Sequence, residues 1–199
     1  MEFRTLEEIE PFKKQIMIWH IVGWFVIFGL GAIWHFAFVW SGAWAPIGWL
    51  FAVNESVWEH LKIMYWPALI YYAIEGIFLY KKTNNFVLAK AITVYLTPIL
   101  SFSIFYFIYG AFGYENFILD TVILFFLTGL QQFVSYKLLT REIIPAEKKY
   151  QQPLFIGAIV DIAILAILLI VFTYAPIHIQ LFEHSFASET GLYGILPSY

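Results

Sequence analysis

The chain has 199 residues, of which 61% are apolar or aromatic and only 13% are charged. A soluble domain carries about 25% charged and about 45–50% apolar residues, so a water-facing globule is excluded, in line with a mean hydropathy of +0.76. A net charge of −3 provides no basic surface for nucleic acid. The absence of cysteine removes disulfides, thiolate nucleophiles, iron–sulfur clusters and Cys-based zinc sites, leaving His, Asp and Glu as metal ligands.

In chain order, five apolar runs reach the roughly 20 residues that a helix needs to cross the hydrocarbon core: 15–40, 61–80, 86–109, 116–139 and 153–174. The first exceeds the about 7–15 apolar residues of a signal peptide and follows the acidic Glu7, Glu8 and Glu10, so it reads as a retained anchor. The pattern predicts an all-α, polytopic membrane bundle forming one domain, 1–199, with a tail over 175–199. Its first partner is the lipid bilayer.

Lys and Arg in short loops mark the cytoplasmic side. Arg4, Lys13 and Lys14 precede the first run; Lys81, Lys82 and Lys90 surround the link between the second and third; Lys137, Arg141, Lys148 and Lys149 surround the link between the fourth and fifth. Segments 41–60, 110–115 and 175–199 carry no cation. Ten of the eleven cations thus share one side, which predicts an N-terminus inside and a C-terminus outside; Lys62 is the exception. All eight tryptophans lie between Trp19 and Trp66. Because Trp prefers the interface, segment 41–58 is expected to lie in the outer headgroup region or to dip into it as a re-entrant turn.

Ionisable residues at membrane depth face a bundle interior or a cavity and mark function. The densest group runs from Asn54 to Lys62. Read as the start of the second span with Asn54 as cap, it places Glu55, Glu59 and Lys62 on one stripe and Ser56 and His60 on the next. Two carboxylates and an imidazole offer part of a divalent metal site, zinc being the first choice. His178 and His184 follow the last span on the same side, and His35 lies roughly 8 Å below the outer end of the first, so all three are candidate ligands. His20 is set apart from His35 by about 22 Å of helix. Glu55, Glu59 and His60 are the candidate catalytic groups, while Glu55 or Glu59 can instead pair structurally with Lys62. Ser56 and His60 have the spacing of a nucleophile and base, without an assignable orienting acid.

Deeper in the spans, Asp161, Glu75, Gln131 and Gln132 provide a proton path or interhelical hydrogen bonds, and Asp120 lies close enough to the outer end of the fourth span to reach the outer site. The tail, with Phe182, Phe186, Tyr193 and Tyr199, reads as an ordered cover on the outer face.

Three blocks, Asn54 to Lys62, Pro176 to Phe182 and Thr190 to Ile195, together resemble the small bacterial membrane proteins grouped as domain of unknown function 6512. The resemblance covers the chain from about Trp34 to Ile195. Ile177 and Gln180 stand where that pattern is richer in proline, and Ala187, Ser188 and Glu189 where it has an Asp-Pro pair. It implies an integral-membrane helical fold, here in a bacterial plasma membrane, and no activity.

Three functions compete on these residues. The first is a membrane-embedded metal-dependent hydrolase or lipid-modifying enzyme; the second is a carrier or binding protein whose aromatic vestibule takes an apolar or lipid-like small molecule; the third is a structural subunit, with homo-oligomerisation open. Haem on paired histidines ranks last. The cation distribution generates one direct test: a reporter fused after Tyr199 is expected to be active only when exported, and activity restricted to the cytoplasm would reverse the topology.

Overall fold

The computed structural model describes residues 4–113, 116–141, 148–184 and 191–196. A short α1 (Leu6–Ile9), capped by Thr5 and Glu8 in a reciprocal capping box, leads through a 3-10 turn at Glu10–Phe12 into α2 (Lys13–Trp40). There follow α3 (Val57–Leu79), α4 (Phe86–Phe112), α5 (Phe117–Leu139) and α6 (Lys148–Tyr174). Five helical segments are long and apolar enough to cross a membrane, and they are the five expected from hydropathy. The beginning of the second span moves back from 61 to Val57, because Ser56 caps the helix ahead of its apolar stretch.

α2 packs on α3, α3 on α4, α4 on α5, and α5 returns onto α2, closing a ring of four helices; α6 lies outside it, against α4 and α3. The most enclosed helix is α3, with 50% of its apolar window buried against 17% for α6. Lipid tails are as apolar as leucine, so helix contact here depends on close packing and interhelical hydrogen bonds. Gly31 lets α2 approach the backbone of α3, where an added Cβ would stand 2.9 Å from the Ile63 carbonyl oxygen. Gly129 on α5 makes room for the Trp24 ring, whose Nε1–H donates to the Phe125 carbonyl at 2.7 Å. Tyrosine hydroxyls make further ties by donating to backbone carbonyls on neighbouring helices: Tyr65 to Ile162 at 2.6 Å, Tyr95 to Asp161 at 2.7 Å, and Tyr71 to Trp19.

The half of the ring nearest the 80–86 link is filled by polar side chains. Glu75, fully buried, is 2.6 Å from the Lys90 ammonium. Lys90 also donates to Ser135 Oγ at 2.8 Å and stands 4.3 Å above the Tyr72 ring. His20 donates from Nδ1 to the Ile16 carbonyl at 2.7 Å, so its Nε2 accepts, and that atom lies 3.0 Å from Ser135 Oγ. Gln131 links Tyr72 to Thr97.

Two expectations change here. Lys90 is not a loop cation but the buried counter-charge of Glu75, which hydropathy and loop counting could not reveal. Asp161 does not join Glu75: it is exposed on α6, where its carbonyl accepts from the Tyr95 hydroxyl.

Removing one partner from a buried ion pair leaves an uncompensated charge, at a cost of roughly 3–5 kcal/mol. Lys90→Ala should therefore lower stability by about that amount, and the double replacement Glu75→Leu with Lys90→Met should be milder than either single change. Thermal unfolding in mild detergent measures both. A double variant as unstable as the sum of the singles would contradict the pairing.

Candidate metal centre

The site is set by how the chain enters α3. Asn54 Oδ1 accepts from the Ser56 N–H at 2.8 Å, while the Asn54 amide donates to the Gly194 carbonyl at 2.8 Å, tying the tail to this turn. Ser56 is still extended, with φ −71° and ψ 151°, and its Oγ accepts from the Glu59 N–H at 3.2 Å. Ser56 rather than Asn54 is therefore the cap, since the backbone does not become helical until Val57. Glu55 consequently lies outside the helix and does not share the stripe of Glu59 and Lys62.

Glu59 and Lys62 form a separate buried pair. The Lys62 ammonium is 2.6 Å from Glu59 Oε2 and donates to the Gly48 and Phe51 carbonyls at 2.6 and 3.2 Å. Glu59 Oε2 also accepts from the Val53 N–H at 3.0 Å, and Oε1 accepts from Thr173 Oγ1 at 2.9 Å. Together these bonds pin segment 41–56, which contains the 3-10 turn Ala45–Ile47, against α3 and α6. They also explain the exception to the cation count: Lys62 fastens a loop inside the protein. Of the structural and ligating roles weighed for Glu59, the geometry matches the structural one.

Glu55 turns the other way. Its carboxylate lies 3.2 Å from His60 Nε2 and 3.8 Å from His35 Nε2, and one ligand atom from each of the three residues lies within 4.8 Å of the others. The three side chains come from the loop, α3 and α2, and are 18%, 31% and 12% exposed. His60 Nδ1 is 2.8 Å from the Ser56 carbonyl oxygen. A carbonyl can only accept, so Nδ1 carries the proton and donates. In the neutral ring Nε2 then holds a lone pair aimed at a carboxylate that also holds lone pairs. A proton or a metal cation placed among these three atoms would satisfy both lone pairs. Anchoring the second imidazole nitrogen on a backbone carbonyl is the usual support of a metal-binding histidine. Burial pushes the Glu55 carboxyl up, but the His60 hydrogen bond and the charges of His60, His35 and His184 outweigh it, holding the group below the ordinary carboxylate value.

The group lines one end of a cavity of about 940 Å³ within the ring, in the range of small-molecule sites. Asp120 on α5 lines the same cavity, as expected of it, together with Ser101, Gln180 and Glu183. His184, also in the lining, accepts the Glu55 N–H on Nδ1 at 3.1 Å and thereby fixes the turn that carries Glu55. The tail keeps this place through the bridge between Glu183 and Tyr193 and through Phe182, which is buried beside Trp58. His178 is not among the cavity residues; it stacks on Tyr193 with ring centroids 4.5 Å apart. The Ser56 hydroxyl serves as the helix cap, and His60 Nδ1 meets the Ser56 carbonyl rather than its hydroxyl. Phe186 and Tyr199 lie outside the described residues. Gln180 and Glu183 were not singled out as site residues from the sequence; the only signal was that they sit in the tail beside the two candidate histidines.

The two neighbouring carboxylates should respond differently to mutation. Glu59→Ala strands Lys62 in the interior and should destabilise the protein by roughly 3–5 kcal/mol, whereas Glu55→Ala, at a partly exposed site, should cost about 1 kcal/mol, as most substitutions do. Equal losses in thermal unfolding would contradict the division between them.

No curated protein and no solved structure matches the chain. A family model described as "Family of unknown function (DUF6512)" matches residues 9–195, extending to the first helices the resemblance seen from Trp34 onward. The chain belongs to that family of unknown function.

Proposed function

We propose that the protein is a membrane-embedded, metal-dependent hydrolase whose divalent ion is held by His35, Glu55 and His60. The observation that carries this reading is the convergence of three lone-pair-bearing atoms within 4.8 Å at one end of a large cavity, with no lysine or arginine in its lining among the described residues. Two imidazoles and one carboxylate form a catalytic zinc set that keeps one position open for water or substrate. A zinc ion held by these residues would lower the pKa of a bound water toward about 7 and would polarise a carbonyl. The chain's own groups do the rest. Ser56 holds His60 in the ligating tautomer, His184 fixes the Glu55 turn, and Asp120, on the opposite helix, supplies a carboxylate that can take the proton from the attacking water. By the cation count, the site opens toward the outer face of a bacterial plasma membrane.

Metal analysis of the purified protein tests the reading. About one zinc per chain is expected. His35→Ala, Glu55→Gln and His60→Ala should each weaken zinc binding by more than the about 10–100-fold typical of an outer-shell change. Glu59→Gln should leave the zinc content unchanged. Metal-free protein carrying a bound organic molecule would replace the enzyme with a carrier, and equal zinc in all variants would move the metal elsewhere.

A further inference from the structure

The cavity has two chemically different ends. His35, Glu55, His60 and Asp120 occupy the end nearest the 41–56 loop. Away from them the lining becomes mainly hydrocarbon and aromatic, including Phe28, Ile104 and Leu124, with Ser101 among these deeper residues. Along α4 the lining runs from Ser101 to Gly113, roughly 18 Å of helix. That shape fits one extended hydrocarbon chain with a polar group at its end.

The cavity also reaches the side of the bundle. α2 and α5 are tied where Trp24 and Phe28 meet Phe125. Nearer the loop end, Phe36 on α2 and Phe117 on α5 both line the cavity while remaining 41% and 68% exposed. Exposed lining residues on both helices mark this seam as the place where an amphiphile would enter, with its chain already in lipid. Leaving lipid for an apolar cavity gives the chain little free energy, so selection falls on the head.

The charge of the lining decides what that head is. Glu55, Asp120 and Glu183 line the cavity, and among the described residues no lysine or arginine does. Phosphate recognition normally uses Arg or Lys donors, and a phosphate monoester here would meet three carboxylates, whose charge a single divalent ion does not fully offset.

We infer that the substrate is a neutral, single-chain lipid ester entering between α2 and α5, with its chain along Ile104 and Leu124 and its carbonyl at the His35, Glu55 and His60 group. This inference rests on the hydrolase reading for its reaction but not for its binding site. In the reaction, water oxygen bonds to the acyl carbon and the ester C–O bond breaks. One water proton passes to the departing alcohol oxygen, and the other leaves from the carboxylic acid product.

Two photoreactive probes test this: a monoacylglycerol and the matching lysophosphatidate, each with a diazirine near the middle of the chain. They are incorporated into vesicles with the full-length protein, with and without zinc, and the labelled residues are mapped by mass spectrometry. The monoacylglycerol is expected to label cavity residues in both conditions. Ile104→Trp and Leu124→Trp, on different helices and each checked for unchanged melting, should reduce that labelling at least about tenfold, the equivalent of 1.4 kcal/mol. The phosphate probe should label the cavity at least about tenfold less than the neutral one. Equal labelling by the two probes, labelling confined to the outer lipid-facing surface, or insensitivity to both tryptophans would overturn the inference. Cavity labelling by a protein that binds no zinc would retain the lipid site and refute the hydrolase.

Discussion

A charge withdrawn from water into a helical bundle must be compensated by a partner of opposite sign, because the desolvation penalty of a bare ion far exceeds what packing around it returns. Among the described residues, Glu75, Glu59 and Glu55 are subject to that constraint, and they meet it in different ways. Glu75 has Lys90, itself held by Ser135 and the Tyr72 ring. Glu59 has Lys62, which also gathers two loop carbonyls. Glu55 has two imidazoles. The first two sets are closed within the chain, since each contains a permanent cation. The third, among the described residues, contains imidazoles in place of a permanent cation, and it is the set that lines the cavity.

The rest of the architecture follows from where these sets sit. The Glu75 and Lys90 pair occupies one half of the four-helix ring, so that half is filled with polar side chains. The Glu59 and Lys62 pair stands on the face of α3 that meets α6 and the 41–56 loop, where it fixes the loop and leaves the opposite face of the helix start to His60. With α3 so constrained, the extended Ser56 directs Glu55 toward α2, where His35 is waiting. A structural pair and a candidate ligand group thus lie within one turn of each other and stay separate because the chain becomes helical at Val57 rather than at Glu55.

That single detail marks how far the sequence could be read. Helix number and approximate extent were legible because runs of apolar residues near 20 have few other uses. The gathering of His35, Glu55, His60, His184 and Asp120 at one end was legible from depth alone, since loops and helix rise fix distance along the membrane normal. Rotation about a helix axis was not legible, because every face of these helices is apolar and periodicity carries little signal. Hence Glu59 was grouped with Glu55, when a cap two residues later than Asn54 turns them apart. Lys90 looked like a loop cation because a charged residue near a span end reads the same whether it points outward or into the ring. His178 shared the right side of the membrane, but its stacking on Tyr193 depends on a tail fold that no local pattern announces.

The central claim is that the Glu55 group is completed by a metal rather than by a proton alone. X-ray absorption at the zinc edge of the zinc-loaded protein tests it most directly. Two imidazole nitrogens and one carboxylate oxygen at about 2.0–2.2 Å are predicted, with the imidazole scattering halved in His35→Ala. A shell of oxygen alone, or an imidazole signal unchanged by that substitution, would contradict the account.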